Sequence, residues 1–343
     1  MRITYLIGNG FDLQMGMPTS YLDFYRYKQY SYNPNNVIYK SIFQDGFKKW
    51  VDFEVSLGKL TKKISIEESE KFIDDLWELF DDLNAYLNII EEEYTKVELE
   101  STTDLFQETI DNITQGLRRN DEKLIEEFFT TRNNEYISVS FISYNYTRSL
   151  DRLRDMSSDN ITNHLTSSNY SSISLNGVNH VHGTLFEGLT LGVNDRSQVN
   201  DKLSDEFYEN VVKPEMSARD KRGVDQVVEE ILKDTQIYVI FGLSLGETDR
   251  KWWSQILNHC LENDRYIIIH SYEPQFNNTI PGRFIRKERQ IRNQFLSHAD
   301  TLSDEQKEKL RNRILINLNQ NIFFDEKYMF PKEFDPLDMK EKE

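Results

Sequence analysis

The chain has 343 residues and a formal net charge of −17, a length sufficient for a large core with an insertion. The mean hydropathy of −0.65 and the lack of an apolar run near the ~20 residues of a membrane span predict a soluble protein. The acidic charge disfavours nucleic acid as a partner, because the field of the whole protein repels phosphate. A single cysteine, Cys260, excludes an internal disulfide and a cysteine zinc site. Together with the lack of a signal-peptide pattern, it predicts a cytoplasmic location.

The opening stretch has the most specific chemistry. An apolar run over residues 3–7 predicts a strand buried on both faces of a parallel sheet. The Gly8-Asn9-Gly10 turn that follows can bring backbone N–H groups against a ligand, and it leads into a helix N-terminus, where phosphate is favoured. The pattern is neither the full dinucleotide fingerprint, since its third glycine is replaced by Leu13, nor a P-loop. It predicts a nucleotide-binding turn, and a plain strand–helix connection remains the alternative.

A glycine and a proline within residues 16–19 break the first helix and predict a second loop folded over the first. The region after residue 30 then has the spacing of amphipathic helices, with a capping box at Ser65 and Glu68. We interpret this helical region as an insertion that forms a lid or a partner surface. The predicted domains are an α/β core over residues 1–30 and 136–330, a helical insertion over 31–135 and a flexible tail over 331–343.

Polar residues follow the ends of several predicted strands. Because ligands bind at the carboxyl ends of strands in parallel α/β sheets, such endings predict one shared site. Each ending alone also fits a structural role, since a single histidine before glycine or asparagine after a strand is commonly a hydrogen-bonded turn residue. The predicted strands lie at 137–143, 178–183, 236–241 and 266–270, and the polar endings are Asn145, His182 with Gly183, and Gly242 with Ser244.

Two acidic residues follow Trp50 at a spacing of two. Asp52 and Glu54 cannot share one face of a helix, which argues against a paired-carboxylate site built from these two residues alone. We interpret Glu54 as a solvated acidic residue beside a buried Trp50.

Several segments together resemble the bacteriophage abortive-infection AbiH family over nearly the whole chain. These segments are LIGNGFDLQMGMPTSYLDF, FISYNYTRSLD, HVHGTL and FGLSLGETD, and the Trp-x-Asp-x-Glu pattern at residues 50–54 is also similar. The order G-x-G, then G-x-P, then Asn, His-Gly and Gly-x-Ser resembles the sirtuin fold over the sheet and its loops. These resemblances imply an anti-phage role and a Rossmann-like, sirtuin-like parallel sheet with a large helical insertion.

The sirtuin resemblance also implies a ligand and a set of site residues. The ligand is NAD, as substrate or bound nucleotide, with Asn145 as the catalytic-site asparagine and His182 as the general base. Thr147 replaces the aspartate of the sirtuin pattern, which removes an expected carboxylate contact. The cysteine zinc module is absent, so deacylation is disfavoured and no metal is expected. The residues assigned to the nucleotide are Gly8, Asn9, Gly10, Asp12, Thr19, Gly242 and Ser244.

Two hypotheses from different classes follow. The first is an enzyme that hydrolyses the N-glycosidic bond of NAD or a related nucleotide during infection, because a neutral base near physiological pH and a positioned water suffice for that chemistry. The second is a non-catalytic nucleotide-binding sensor whose insertion engages a phage or host partner. A phage-derived trigger and a homo-oligomer are possible partners in each case. If Gly10 approaches a pyrophosphate, Gly10→Val should block nucleotide binding and leave the protein folded.

Overall fold

The centre of the molecule is one twisted α/β sheet. The structure is a computed structural model that describes residues 1–46, 50, 52–167, 170–218, 223–262, 264–274, 276 and 281–337. The strands within these residues are β1 (Arg2–Ile7), β2 (Ile137–Ser143), β3 (Asn160–Thr162), β4 (Ser172–His180), β5 (Ile237–Phe241), β6 (Tyr266–Ser271) and β7 (Ile314–Leu318). Their order in the sheet is β3-β4-β2-β1-β5-β6-β7, and only the pair β3 and β4 is antiparallel. The α/β prediction with a mostly parallel sheet is therefore confirmed.

The central strands form where the sequence has continuous apolar runs. Every side chain of β5 is buried, as is nearly every one of β1 and β2, because helices cover both faces of the sheet. The strand β7, which the sequence analysis missed, extends the sheet beyond β6. The strand β4 ends at His180, so His182 lies two residues beyond the strand rather than at its last position.

Helices lie on both faces of this sheet. Alternate side chains of β1 enter different cores: Tyr5 packs with the helices between β1 and β2, and Leu6 packs with the helices that follow β4. The helices of the described residues are α1 (Gly10–Gln14), α2 (Tyr21–Lys28), α3 (Val37–Asp45), α4 (Phe53–Thr61), α5 (Ser69–Thr95), α6 (Thr103–Asp111), α7 (Arg119–Thr131), α8 (Ser149–Asp155), α9 (Asp205–Val211), α10 (Lys213–Ala218), α11 (Val224–Asp234), α12 (Arg250–Glu262), α13 (Pro281–Leu296) and α14 (Asp304–Arg311).

The predicted insertion, residues 31–135, contains α3 to α7. The predicted capping box is present, with Ser65 and Glu68 exchanging hydrogen bonds immediately before α5. The buried face of α5 belongs to the same hydrophobic core as Tyr5 of the sheet. The insertion therefore packs on the sheet instead of forming a separate core.

The chain end partly packs on the core. The N–H group of Phe330 donates to the carbonyl of Met15 at 2.8 Å, and the Phe330 and Phe334 rings lie 5.3 Å apart. Residues 338–343 of the predicted tail lie outside the described residues.

The strand register brings the predicted site residues to one edge. Ile7 at the end of β1 pairs with Ser143 of β2 and with Phe241 of β5, and Ser143 in turn pairs with His180. The segments that follow these four residues therefore leave the sheet side by side, at its carboxyl edge.

Candidate functional site

Two glycine loops interlock at the carboxyl edge of the sheet. The N–H group of Gly8 donates to the carbonyl of Phe241, and that of Gly10 donates to the carbonyl of Gly242, each at 2.9 Å. A Cβ atom at Gly10 would lie 2.5 Å from the Cα atom of Gly242, and Gly242 itself has a φ of +70°. These glycines are thus required for the close approach of two backbone segments.

This packing corrects one sequence-based expectation. The N–H groups of Gly8, Gly10 and Phe11 are already bound to backbone carbonyls, so in this conformation they do not face a phosphate. Through Asn9 and Gly10 the turn nevertheless lines a large cavity, where a ligand can contact it.

The second loop folds over the first, as its glycine and proline indicated. The Nδ2 atom of Asn9 donates to the carbonyl of Thr19 at 3.1 Å, and the hydroxyl of Thr19 donates to Oδ1 of Asn9 at 2.6 Å. Thr19 therefore orients the side chain of Asn9 at the cavity wall.

Asp12 links the first helix to the segment that carries Asn145. Its carboxylate accepts hydrogen bonds from the hydroxyls of Thr147 and Ser149, each at 2.5 Å. Burial raises the pKa of Asp12 to about 6, against the lowering effect of these hydrogen bonds. Thr147, which replaces the aspartate of the sirtuin pattern, thus donates a hydrogen bond to Asp12. The carboxylate of Asp12 is buried, and its hydrogen bonds hold the segment after β2 against the first helix.

Asn145 lies two residues beyond β2 and is buried, with 5% of its surface exposed. Its carbonyl lies 2.9 Å from Nδ1 of His180, whose Nε2 lies 2.8 Å from Asp151. Burial lowers the pKa of His180, but the hydrogen bond and charge of Asp151 outweigh it, so this pKa is raised overall. The backbone of Asn145 is therefore held firmly. Its side-chain amide forms no hydrogen bond of full geometry among the described residues, although it lies near enough to Asp12 to lower the pKa of that carboxyl. A buried amide of this kind is available to a ligand or a water molecule.

His182 belongs to a buried cluster with three charged side chains. Its Nε2 atom lies 3.1 Å from Oδ1 of Asp249 and 3.4 Å from Nζ of Lys213. The same ammonium group lies 3.3 Å from Asp249 and 2.7 Å from Oε1 of Glu54. The four side chains are each about nine-tenths buried. The interpretation of Glu54 as a solvated residue is therefore wrong, because its carboxylate is buried and forms an ion pair with Lys213.

The pKa values of the cluster reflect one cation shared by two carboxylates. Burial raises the pKa of Glu54, and Lys213 only partly offsets it. Burial also acts to raise the pKa of Asp249, but the charges of Lys213 and His182 outweigh it and hold that pKa well below its usual range. For Lys213, burial lowers the pKa, and the two carboxylates more than compensate. Environments that separate the pKa values of two carboxyl groups are typical of functional sites.

A cleft of about 20 Å³ opens beside His182, Lys213, Thr190 and Asp249. This volume is about that needed for one water molecule, and the polar side chains around it supply hydrogen-bond partners.

A cavity of about 760 Å³ lies over the carboxyl ends of β1, β5 and β6. Its size is in the range of pockets for small molecules and nucleotides. The side chain of His270 lines it, and burial lowers the pKa of this histidine to about 4, so its ring is neutral at pH 7. At the other side of the cavity, Lys287 and Glu273 form an ion pair at 2.6 Å. The predicted site residues that line the cavity are Asn9, Gly10, Gly242 and Ser244.

The loop between β5 and α12 joins the two parts of the site. Gly242 and Ser244 line the cavity, and Asp249 of the same loop contacts His182. The structure thus places the predicted nucleotide residues and the predicted catalytic residues at one edge. Within the described ranges, no three His, Cys, Asp or Glu side chains are grouped as metal ligands.

The sequence analysis missed Lys213 and Asp249. Asp249 is the last residue of FGLSLGETD, a segment that resembles the AbiH family, and this resemblance could have identified Asp249. The sequence around Lys213, which precedes Pro214, contains no motif that would predict a role in the site.

Comparison with known proteins adds one finding. A family model described as bacteriophage abortive infection AbiH matches residues 4–272, which is most of the chain and includes Asn145, His182 and the charged residues around His182. No curated protein matches the chain. Among the described helices, none combines the length and the apolar composition needed to cross a membrane.

Proposed function

Because the chain belongs to the AbiH family of bacteriophage abortive infection proteins, we propose that it acts against phage by hydrolysing the N-glycosidic bond of NAD or a related nucleotide. The observation that carries this proposal is the buried contact of His182 with Asp249, 3.1 Å long, beside a cleft large enough for one water molecule. A histidine oriented by a carboxylate and next to a water site is an arrangement suited to general base catalysis.

The proposed reaction needs few groups. The bond between the anomeric carbon and the nicotinamide nitrogen breaks, its electron pair leaves with the neutral base, and a water oxygen bonds to the carbon. His182 takes the proton that this water loses, and Asp249 stabilises the imidazolium that forms. The buried amide of Asn145, which lies near Asp12, holds the water or a ribose hydroxyl in place.

The large cavity supports binding of the rest of the nucleotide. Its apolar walls suit a planar base, and the glycine loops provide backbone close to a ligand at Gly10 and Gly242. We place the uncleaved part of the nucleotide there and the scissile bond toward His182. A cytoplasmic location and activation by a phage-derived trigger belong to the same proposal.

The experiment follows cellular NAD during phage infection. His182→Ala and Asn145→Ala should each abolish infection-dependent loss of NAD and protection from phage, since removal of a general base costs about 100- to 10,000-fold in rate. The double variant should be little worse than either, because both residues act on one water. His164→Ala is the control, since this exposed histidine contacts Asp111 and Gln107, away from His182, and should leave the phenotype intact. Full NAD loss in both site variants would refute the hydrolase.

A second candidate function is the non-catalytic sensor. The observation that favours it is the closed cleft, because side chains that are nine-tenths buried reach a substrate only after a rearrangement. A sensor that carries His182→Ala would still protect cells, and protection would be lost when the insertion over residues 31–135 is altered.

A further inference from the structure

The cluster around His182 has fewer positive than negative charges. Glu54 and Asp249 are two carboxylates, and both contact the single ammonium of Lys213. Lys213, Glu54 and Asp249 together carry a net charge of −1 when both acids are ionised. The raised pKa of Glu54 is the expected response of a buried carboxylate that has only a share of one cation.

The neighbouring charges do not correct this deficit. The other cation that lines the cleft, Lys251, lies 2.8 Å from Asp225 and 3.1 Å from Glu229, so it too is shared by two carboxylates. Tyr144 and Tyr146 also face the cluster, and burial raises the pKa of both hydroxyls, so they remain uncharged. Among the described residues that line the cleft, no further lysine or arginine offsets the charge of Glu54 and Asp249.

We propose that this charge deficit selects a ligand with a positive charge beside His182, so that the oxidised pyridinium nucleotide binds in preference to its reduced, uncharged form. This inference rests on the proposed function and names its substrate class. In NAD⁺ the pyridinium ring supplies the missing charge, and the ribose takes up positive charge as the glycosidic bond breaks. A buried carboxylate whose charge Lys213 offsets only in part stabilises both positive charges.

The inference also gives a role to the buried carboxylate of Glu54. If Lys213 only neutralised Asp249, the second carboxylate would carry the cost of burial without a function. As part of the cation site, Glu54 keeps Lys213 from fully cancelling the charge of Asp249. Glu54 is thus a positioning and specificity residue, and His182 remains the proposed base.

The test measures binding of three ligands that share the adenosine diphosphate part: NAD⁺, NADH and ADP-ribose. Calorimetry on the full chain should show NAD⁺ binding about tenfold tighter than NADH or ADP-ribose, as expected for one unit charge near a partly shielded carboxylate. Glu54→Gln removes one negative charge and should bring the NAD⁺ to NADH ratio to about one, without weakening ADP-ribose.

The matched control is Glu288→Gln, because Glu288 is also a buried glutamate paired with a cation, Arg118, outside the cluster. This variant should keep the tenfold ratio. If Glu54→Gln does not fold, Asp249→Asn makes the same change of charge in the same cluster and should remove the ratio as well.

The outcomes separate this inference from the function on which it rests. Equal affinity of the parent for NAD⁺ and NADH, or an unchanged ratio in the cluster variants, overturns the cation selection and leaves hydrolysis standing. A tenfold ratio without NAD⁺ cleavage supports the cation site and removes the hydrolase. If none of the three ligands binds, both proposals are wrong.

Discussion

The contact between the two glycine loops can be tested by Gly242→Ala. The added Cβ would meet three backbone atoms at 2.8 to 2.9 Å, those of Phe11, Gly10 and Gly8, and a backbone cannot move aside as a flexible side chain can. The φ of +70° at this position is also unfavourable for alanine. We therefore expect a loss of stability from two separate causes.

The magnitude follows from these two causes. A left-handed conformation costs a residue with a Cβ roughly 1–2 kcal/mol, and overpacking against fixed neighbours costs roughly 1–3 kcal/mol. The sum is about 3 kcal/mol. With an unfolding entropy of about 2.1 cal/mol/K per residue, a chain of 343 residues should lose about 4 °C in Tm.

Calorimetric unfolding and urea titration measure this loss. Gly177→Ala is the matched control, because Gly177 is exposed and a Cβ there meets no atom within 4 Å. We expect that control to stay within about 0.5 kcal/mol of the parent. A Gly242→Ala variant as stable as the control would refute the interlocked loops. The same geometry makes Gly10→Val a test of folding and not of phosphate binding, which corrects the expectation that this variant stays folded.

Two further predictions concern pH. The pKa of Asp12 is raised from 3.8 to about 6, so its contribution to stability is fully present below pH 3.8 and is lost as the pH rises to 6. As the pH rises over that range, the free energy of unfolding of Asp12→Asn should increase by about 3 kcal/mol relative to that of the parent. The pKa of His270 is lowered from 6.5 to about 4, so its contribution is present above pH 6.5 and is lost as the pH falls to 4. As the pH falls over that range, the free energy of unfolding of His270→Phe should therefore increase by about 3 kcal/mol relative to that of the parent. Urea unfolding from pH 4 to 7 checks both, and parallel stability profiles of parent and variant would contradict the stated burial of either group.

The sheet was predictable where the signal is local. The runs that became β1, β2, β5 and β6 are long enough and apolar enough to indicate strands buried on both faces. The strand β7 has a similar composition but follows a polar helix near the chain end, and β3 has only three residues and one buried side chain. Their pairing depends on neighbours that are distant in sequence, and a local pattern does not contain that information.

The site was predictable only in part for the same reason. Asn145 and His182 each follow a strand, so topology alone places them at the edge where ligands bind. Glu54, Lys213 and Asp249 come from a helix of the insertion, the start of another helix and a loop, and only the fold makes them neighbours. Glu54 was misinterpreted because an acidic residue on a polar helix face is usually solvated, and the sequence does not show which lysine will meet it.

The position of β1 in the sheet has a consequence for synthesis of the protein. It is synthesised before the other strands of the sheet, and its two partners, β2 and β5, are about 130 and 230 residues further along the chain. At a translation rate of about 5–20 residues per second, β1 waits roughly 10 to 50 s before both edges are paired. A nascent chain that stops before Gly242 lacks both the second glycine loop and Asp249, the carboxylate that contacts His182. A protein whose activity harms its own cell would gain from this order, because incomplete translation products cannot assemble the site.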